Sequence, residues 1–212
     1  MTESVQEKPE PLLTEKTLAY WLTWRTVQLF LFTLFRLRVR GRRNIPKEGG
    51  AVLASNHQSM MDIPIVAAAN SRHVCFVARE SLADTRWLAK LMRECGAVLI
   101  ERGATDRKAL RDMVGHLEQG HLLTVFPEGT RSKDGSLLEF KRGAVLTAKK
   151  AGVPIIPTAI TGAIHAMPRG KLLPRPRKVS IELGEPIDPQ LPDAQERLVA
   201  AVQAMVGDGS VR

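Results

Sequence analysis

Ala51-Val52-Leu53-Ala54-Ser55-Asn56-His57-Gln58-Ser59-Met60-Met61-Asp62-Ile63-Pro64 is the stretch on which the fold turns. Its first five residues are an apolar run of strand length, and a helical pattern follows the turn. Pro64 is tolerated in a first helical turn and disfavoured inside a helix, so the helix is predicted to start near Asp62. On one continuous helix, residues five apart point about 140° away from each other, which would separate His57 from Asp62. With the helix starting at Asp62, His57 falls on the preceding turn, at the carboxyl end of a strand. That is where α/β proteins place their ligands.

Outward from this unit the pattern repeats. Strands are predicted at Leu37–Arg40, Ala51–Ser55, His73–Ala78, Ala97–Ile100, Leu122–Phe126, Ile155–Thr161 and Lys178–Leu183. Helices are predicted near Met60–Ala69, Asp84–Glu94, Thr105–Gln119, Lys141–Ala151 and Asp193–Val206. Gly120 and Gly152 stand where two of these helices should close, and Asp193 stands as the N-cap of the last. Apolar strands separated by helices imply an α/β fold, a mixed and largely parallel sheet of about seven strands flanked by helices.

The chain has 212 residues, 44% of them hydrophobic, enough for one core. Its formal charge of +9 points to nucleic acid or an anionic membrane surface. Arg36, Arg38, Arg40, Arg42 and Arg43 directly follow the most apolar segment, Thr14 to Phe35, as expected for attraction to anionic lipid. A second cluster, Arg169, Lys171, Arg175, Arg177 and Lys178, is threaded with prolines. Neither cluster holds the aromatics that nucleic-acid binding would favour, so no nucleic-acid partner is expected. Residues 1–13 read as a flexible lead. Six of the ten aromatics (Tyr20, Trp21, Trp24, Phe30, Phe32, Phe35) lie between Thr14 and Phe35. The longest uncharged run there, Thr26 to Phe35, covers about half of a ~30 Å hydrocarbon core. A segment lying in the interface is expected, with a helix packed on the core as the alternative. Cys75 and Cys95 read as buried, reduced thiols, and no cleavable signal is evident. His116 and His121, either side of Gly120, lack a usual metal spacing and read as structural.

His57 offers an imidazole base and Asp62 a carboxylate to fix its tautomer and stabilise the imidazolium formed when the ring takes a proton. The spacing leaves a second reading open, a loop histidine with Asp62 serving only as a helix cap. The run Phe126-Pro127-Glu128-Gly129-Thr130-Arg131 ends a predicted strand in a tight turn. Arg131 presents a planar fork of donors suited to phosphate, and Thr130 and backbone N–H groups can add more. Glu128 could hold the arginine, hold a polyol substrate, or be a surface charge. No G-x-S-x-G elbow is present, and Ser59 is not needed as a nucleophile.

Together these segments resemble the glycerolipid acyltransferase family, whose best-known members are the 1-acyl-sn-glycerol-3-phosphate (lysophosphatidic acid) acyltransferases. Gly96-Ala97-Val98-Leu99-Ile100-Glu101-Arg102 and Val153-Pro154-Ile155-Ile156-Pro157 match as well, so the likeness runs from about Leu37 to Pro189. It implies a general base at His57, an orienting carboxylate at Asp62, and an acceptor-phosphate turn at Glu128, Gly129, Thr130 and Arg131. Arg102 and Arg79 would assist at the phosphate, although the family commonly has lysine where Arg79 stands. The division implied is a membrane-associating segment over 1–35 and an acyltransferase domain over 36–212.

The activity implied is transfer of an acyl chain from acyl-CoA or acyl-acyl carrier protein to the sn-2 hydroxyl of 1-acyl-sn-glycerol-3-phosphate, making phosphatidic acid. No metal or cofactor is expected beyond the thioester co-substrate. The protein would sit peripherally or monotopically on the cytoplasmic face of the cell membrane. A lyso-ornithine lipid is the alternative acceptor. A non-catalytic lipid-binding protein is the rival of another class, disfavoured because His57 and Asp62 are both present.

Overall fold

The computed structural model describes residues 18–79, 97–100, 106–168, 170–171 and 173–207. The strands are β1 (Arg38–Arg40), β2 (Ala51–Ser55), β3 (Val74–Arg79), β4 (Ala97–Ile100), β5 (Leu122–Val125), β6 (Ile155–Thr161) and β7 (Ser180–Leu183). The helices are α1 (Leu18–Leu34), α2 (Asp62–Ala69), α3 (Asp106–Glu118), α4 (Gly143–Ala151), the single turn α5 (Ala163–Ala166) and α6 (Ala194–Gly207). One sheet holds the strands in the order β1-β7-β6-β2-β5-β3-β4. Among the pairings of the described strands, β6–β7 is antiparallel and the other five run parallel. This is the expected mixed, helix-flanked α/β sheet. The expected helix Asp84–Glu94 lies outside the described residues, as do Arg102, Cys95 and Arg169.

The sheet separates two apolar layers because strand side chains alternate between faces. From β2, Ala51 and Leu53 join Ile156, Ile160, Ile181 and α2 in one layer. Val52 and Ala54 join Leu123, Ile155, α4 and α6 in the other. Every residue of β2 is buried, which is why its sequence is apolar from Ala51 to Ala54 rather than alternating. Gly152, at φ 64°, closes α4 and donates back to the Ala148 and Lys149 carbonyls, the left-handed end that its position predicted. Asp193 directly precedes α6: its carbonyl accepts from the Arg197 N–H at 2.9 Å, and its carboxylate from Arg197 Nε at 2.8 Å.

The boundary expected at 35/36 falls just after α1, yet this helix is joined to the core. Leu31 and Phe35 are fully buried against the sheet, and Phe30 meets Phe35 edge-on at 6.1 Å. Leu29, Phe30 and Phe32 remain exposed on the same helix. No helix among the described residues is long and apolar enough to cross a membrane. Arg36, at φ 45°, turns the chain from α1 into β1, and it is the one non-glycine residue with positive φ among those described.

Candidate active site

β5 and β6 flank β2 on either side, in parallel register, with Ala54 opposite both Val125 and Pro157. The residues that follow these strands therefore emerge side by side, and the two motifs meet at the carboxyl end of the sheet. Asn56 fixes the chain as it leaves β2. Its amide donates to the Ile160 carbonyl at 2.9 Å and accepts the Ile160 N–H at 2.7 Å.

His57 is then held from four directions. Its backbone N–H donates to Glu128 Oε1 at 2.9 Å, and its carbonyl accepts the Ser132 N–H at 2.8 Å. Its ring stacks on Phe126, with centroids 4.1 Å apart and planes inclined by 20°. Nδ1 lies 2.8 Å from Asp62 Oδ2. That pairing assigns the proton to Nδ1 and leaves Nε2 with a lone pair. Asp62 is fully buried, and its Oδ2 also accepts the N–H groups of Gln58 (2.6 Å) and Ser59 (2.7 Å). The predicted helix start is correct, since Asp62 is the first residue of α2 and Pro64 sits in its first turn. Asp62 grips the ring as well as the helix entry, so the reading as a cap alone does not hold.

The second motif forms the expected tight turn, with the Gly129 N–H donating to the Phe126 carbonyl at 3.0 Å. Gly129 takes φ 67°, a conformation that a side chain would strain. Glu128 is neither a surface charge nor a partner of the arginine. It is 5% exposed and spends one oxygen on the His57 backbone, while Oε2 is buried without a hydrogen bond. Burial pushes its carboxyl up to about 7, with Asp62 adding to the rise and the His57 and Leu138 N–H groups opposing it. Thr130 is exposed and Arg131 half-exposed at the mouth of the turn. Arg131 makes no side-chain hydrogen bond or ion pair with any described residue, so its fork of donors is available to a ligand.

The structure thus brings His57, Asp62, Glu128, Gly129, Thr130 and Arg131 together. Arg79 is the last residue of β3, two strands from β2; Arg102 lies outside the described residues. Ser59, raised as a nucleophile by proximity, is buried with its hydroxyl donating to the Met167 carbonyl at 2.8 Å. Asn56, Phe126, Ser132 and Lys141 went unassigned in the sequence. Lys141 donates its N–H to the Pro127 carbonyl, and its Nζ lies beside Gly129, 3.2 Å from where a Cβ would stand. Adjacency to the motifs was a signal for the first three; nothing marked Lys141.

An imidazole held by a buried carboxylate, next to a turn offering a guanidinium and an amine, is chemically able to deprotonate a hydroxyl on an anionic substrate. The comparisons agree in kind. Residues 36–161, more than half of the chain, match the family model described as Acyltransferase, and the chain belongs to that family. It is similar to a probable 1-acyl-sn-glycerol-3-phosphate acyltransferase of Mycoplasma pneumoniae, 34% identical over 88% of this chain and 73% of that protein. A chloroplastic 1-acyl-sn-glycerol-3-phosphate acyltransferase of Arabidopsis thaliana is 31% identical over 69% of this chain, which spans only 41% of that longer protein. Among solved structures it is similar to the 1-acyl-sn-glycerophosphate (LPA) acyltransferase of Thermotoga maritima. The TM-score is 0.77 and the identity 31%, covering 95% of this chain and 85% of that one.

Proposed function

We propose that this protein transfers an acyl chain from a thioester to the sn-2 hydroxyl of 1-acyl-sn-glycerol-3-phosphate, releasing phosphatidic acid and a free thiol. The observation that carries this reading is the His57–Asp62 pair at 2.8 Å, set beside a turn that presents Arg131. Nε2 takes the hydroxyl proton as the acceptor oxygen attacks the thioester carbonyl, and Asp62 stabilises the imidazolium. Collapse of the tetrahedral adduct breaks the C–S bond, and His57 returns the proton to the departing thiolate. A thioester is already activated, so the scheme needs no metal or covalent enzyme intermediate.

The oxyanion requires donors. The N–H groups of His57, Gln58, Ser59, Gly129 and Ser132 are already bonded within the protein. Among the described residues no hydrogen bond is made by the Met60, Glu128, Thr130 and Arg131 N–H groups of the two motif turns, and Thr130 and Arg131, at the mouth of the second turn, are the proposed donors. Arg131 holds the acceptor phosphate, with Lys141 as a second cation; Arg79 and Arg102 are proposed to assist. The donor is acyl-CoA or acyl-acyl carrier protein.

The setting proposed is the cytoplasmic face of a membrane, with residues 1–35 lying in the interface. Supporting it are the exposed Leu29, Phe30 and Phe32 on α1 and the exposed Arg36, Arg38, Arg40, Arg42 and Arg43 beside them. Both basic clusters also line one depression of about 870 Å³, through Arg36, Arg175, Arg177 and Lys178.

The test offers purified protein a panel of lysolipids, lysophosphatidic acid and lyso-ornithine lipid included, with acyl-CoA and acyl-acyl carrier protein, read by mass spectrometry. Phosphatidic acid as the principal product is expected. Acylation confined to phosphate-free acceptors would overturn the assignment.

A further inference from the structure

A second group of chemistry-bearing side chains gathers at the amino ends of the parallel strands, opposite the catalytic turns. Cys75 is the second residue of β3, His116 lies in the last turn of α3, and His121 leads into β5. One ligand atom from each lies within 4.8 Å of the other two. Cys75 is a free, buried thiol. His116 is 9% exposed, and its Nδ1 is buried with no hydrogen-bond partner. A buried nitrogen left in that state calls for an occupant. His121 Nδ1 lies 3.1 Å from the His116 carbonyl, so it donates its proton there and presents Nε2 as a lone pair. Ligand imidazoles are commonly oriented in this way, by a hydrogen bond on the nitrogen that faces away from the metal.

We propose that Cys75, His116 and His121 form a binding site for one zinc ion, remote from His57, which joins β3, α3 and the entry to β5. A thiolate with two imidazoles is a donor set that zinc favours, with the fourth tetrahedral position left to water. Ligand atoms around tetrahedral zinc stand about 3.4 Å apart, so closure requires a movement of roughly 1 Å. His121 is half-buried, the most exposed of the three ligands.

The electrostatics suit the two imidazoles as neutral ligands. Burial, reinforced by the neighbouring His121 and opposed by Asp112, lowers His116. Burial first, then Arg72, lowers His121 against its bond to the His116 carbonyl. The Arg72 guanidinium is itself committed to the carbonyls of Pro46, Gly49 and Gly120. The Cys75 thiol, pushed up to about 12 by burial, is protonated without metal. Zinc binding replaces its S–H bond with a Zn–S bond and releases that proton to solvent. This ion stabilises the sheet and takes no part in acyl transfer.

The test is titration of the chelator-treated, full-length protein with cobalt(II) as the probe, followed by displacement with zinc. A thiolate-to-cobalt charge-transfer band should saturate at about one equivalent and disappear when zinc is added. It should be abolished in Cys75→Ser and retained in Cys95→Ser, and His121→Ala should weaken cobalt binding by roughly 100-fold or more. Zinc should raise the thermal midpoint of the wild type and of Cys95→Ser, but not of His121→Ala, which keeps the readout available should Cys75→Ser fail to fold. Absence of the band at a large excess of cobalt would overturn the proposal. So would a band that survives both Cys75→Ser and His121→Ala.

Discussion

Replacing Glu128 by glutamine should stabilise the protein at neutral and alkaline pH, although Glu128 stands in the most function-dense turn of the chain. Glutamine keeps an oxygen to accept the His57 N–H, now bonded at 2.9 Å, and removes a carboxylate that is 5% exposed with one oxygen unpaired. The folded carboxyl is raised from 4.5 to about 7. Between those values the folded chain keeps a proton that the unfolded chain has released, so wild-type stability falls as pH rises through the window. At about 1.4 kcal/mol per pH unit, the full effect above pH 7 is up to roughly 3 kcal/mol. For a chain of this size that corresponds to a rise of roughly 5–10 °C in Tm for Glu128→Gln at pH 8. The gain should shrink towards zero near pH 4. The assay is thermal unfolding of both proteins by circular dichroism from pH 4 to 9, read as the difference between them, because every other titrating group is common to both. A pH-independent difference would refute the reasoning.

Four further outcomes follow from the site and from α1. His57→Ala should lower the turnover rate at least about 10²-fold without unfolding, the low end for general-base catalysis, as measured by acyl transfer and circular dichroism. Arg131→Ala should raise KM for lysophosphatidic acid far more than for the thioester, with Arg131→Lys rescuing incompletely because a point charge lacks the planar fork; equal effects on both substrates would indicate a structural role. Leu29→Ser with Phe32→Ser should remove the salt-resistant part of binding to anionic vesicles while leaving Tm nearly unchanged, since both side chains are exposed. Phe35→Ala should instead unfold or strongly destabilise the protein, by about 3–5 kcal/mol, because that ring is fully buried.

What was legible in the sequence was whatever depends on neighbours along the chain. β2 declared itself because both its faces are covered, and Pro64 fixed the start of α2 within a residue. The turn geometry at Gly129 and the left-handed end at Gly152 were readable for the same reason. Long-range pairing was not. Nothing in the residues of β2 says that β5 and β6 are its partners, so only the family resemblance joined the two motifs before the structure did. Asn56 binds the backbone of Ile160, and Glu128 binds the backbone of His57; a backbone partner leaves no mark on residue type. α1 is apolar almost all round, which hid the split between a buried Leu31 and an exposed Leu29. The grouping of Cys75 with His116 and His121 was equally invisible, since ligand spacing along the chain fails when three elements each give one residue.

The strand order carries a consequence for biosynthesis. β2 is made early, but its two sheet neighbours end at Val125 and Thr161. At roughly 5–20 residues per second, one edge of this wholly buried strand stays unpaired on the ribosome for about 4–14 s and the other for about 5–20 s. During that interval the newly made chain already carries the exposed apolar residues of α1. The nascent protein is therefore most vulnerable to aggregation between synthesis of β2 and β6, and a pause placed there by slow codons should lower its soluble yield more than the same pause placed after Thr161.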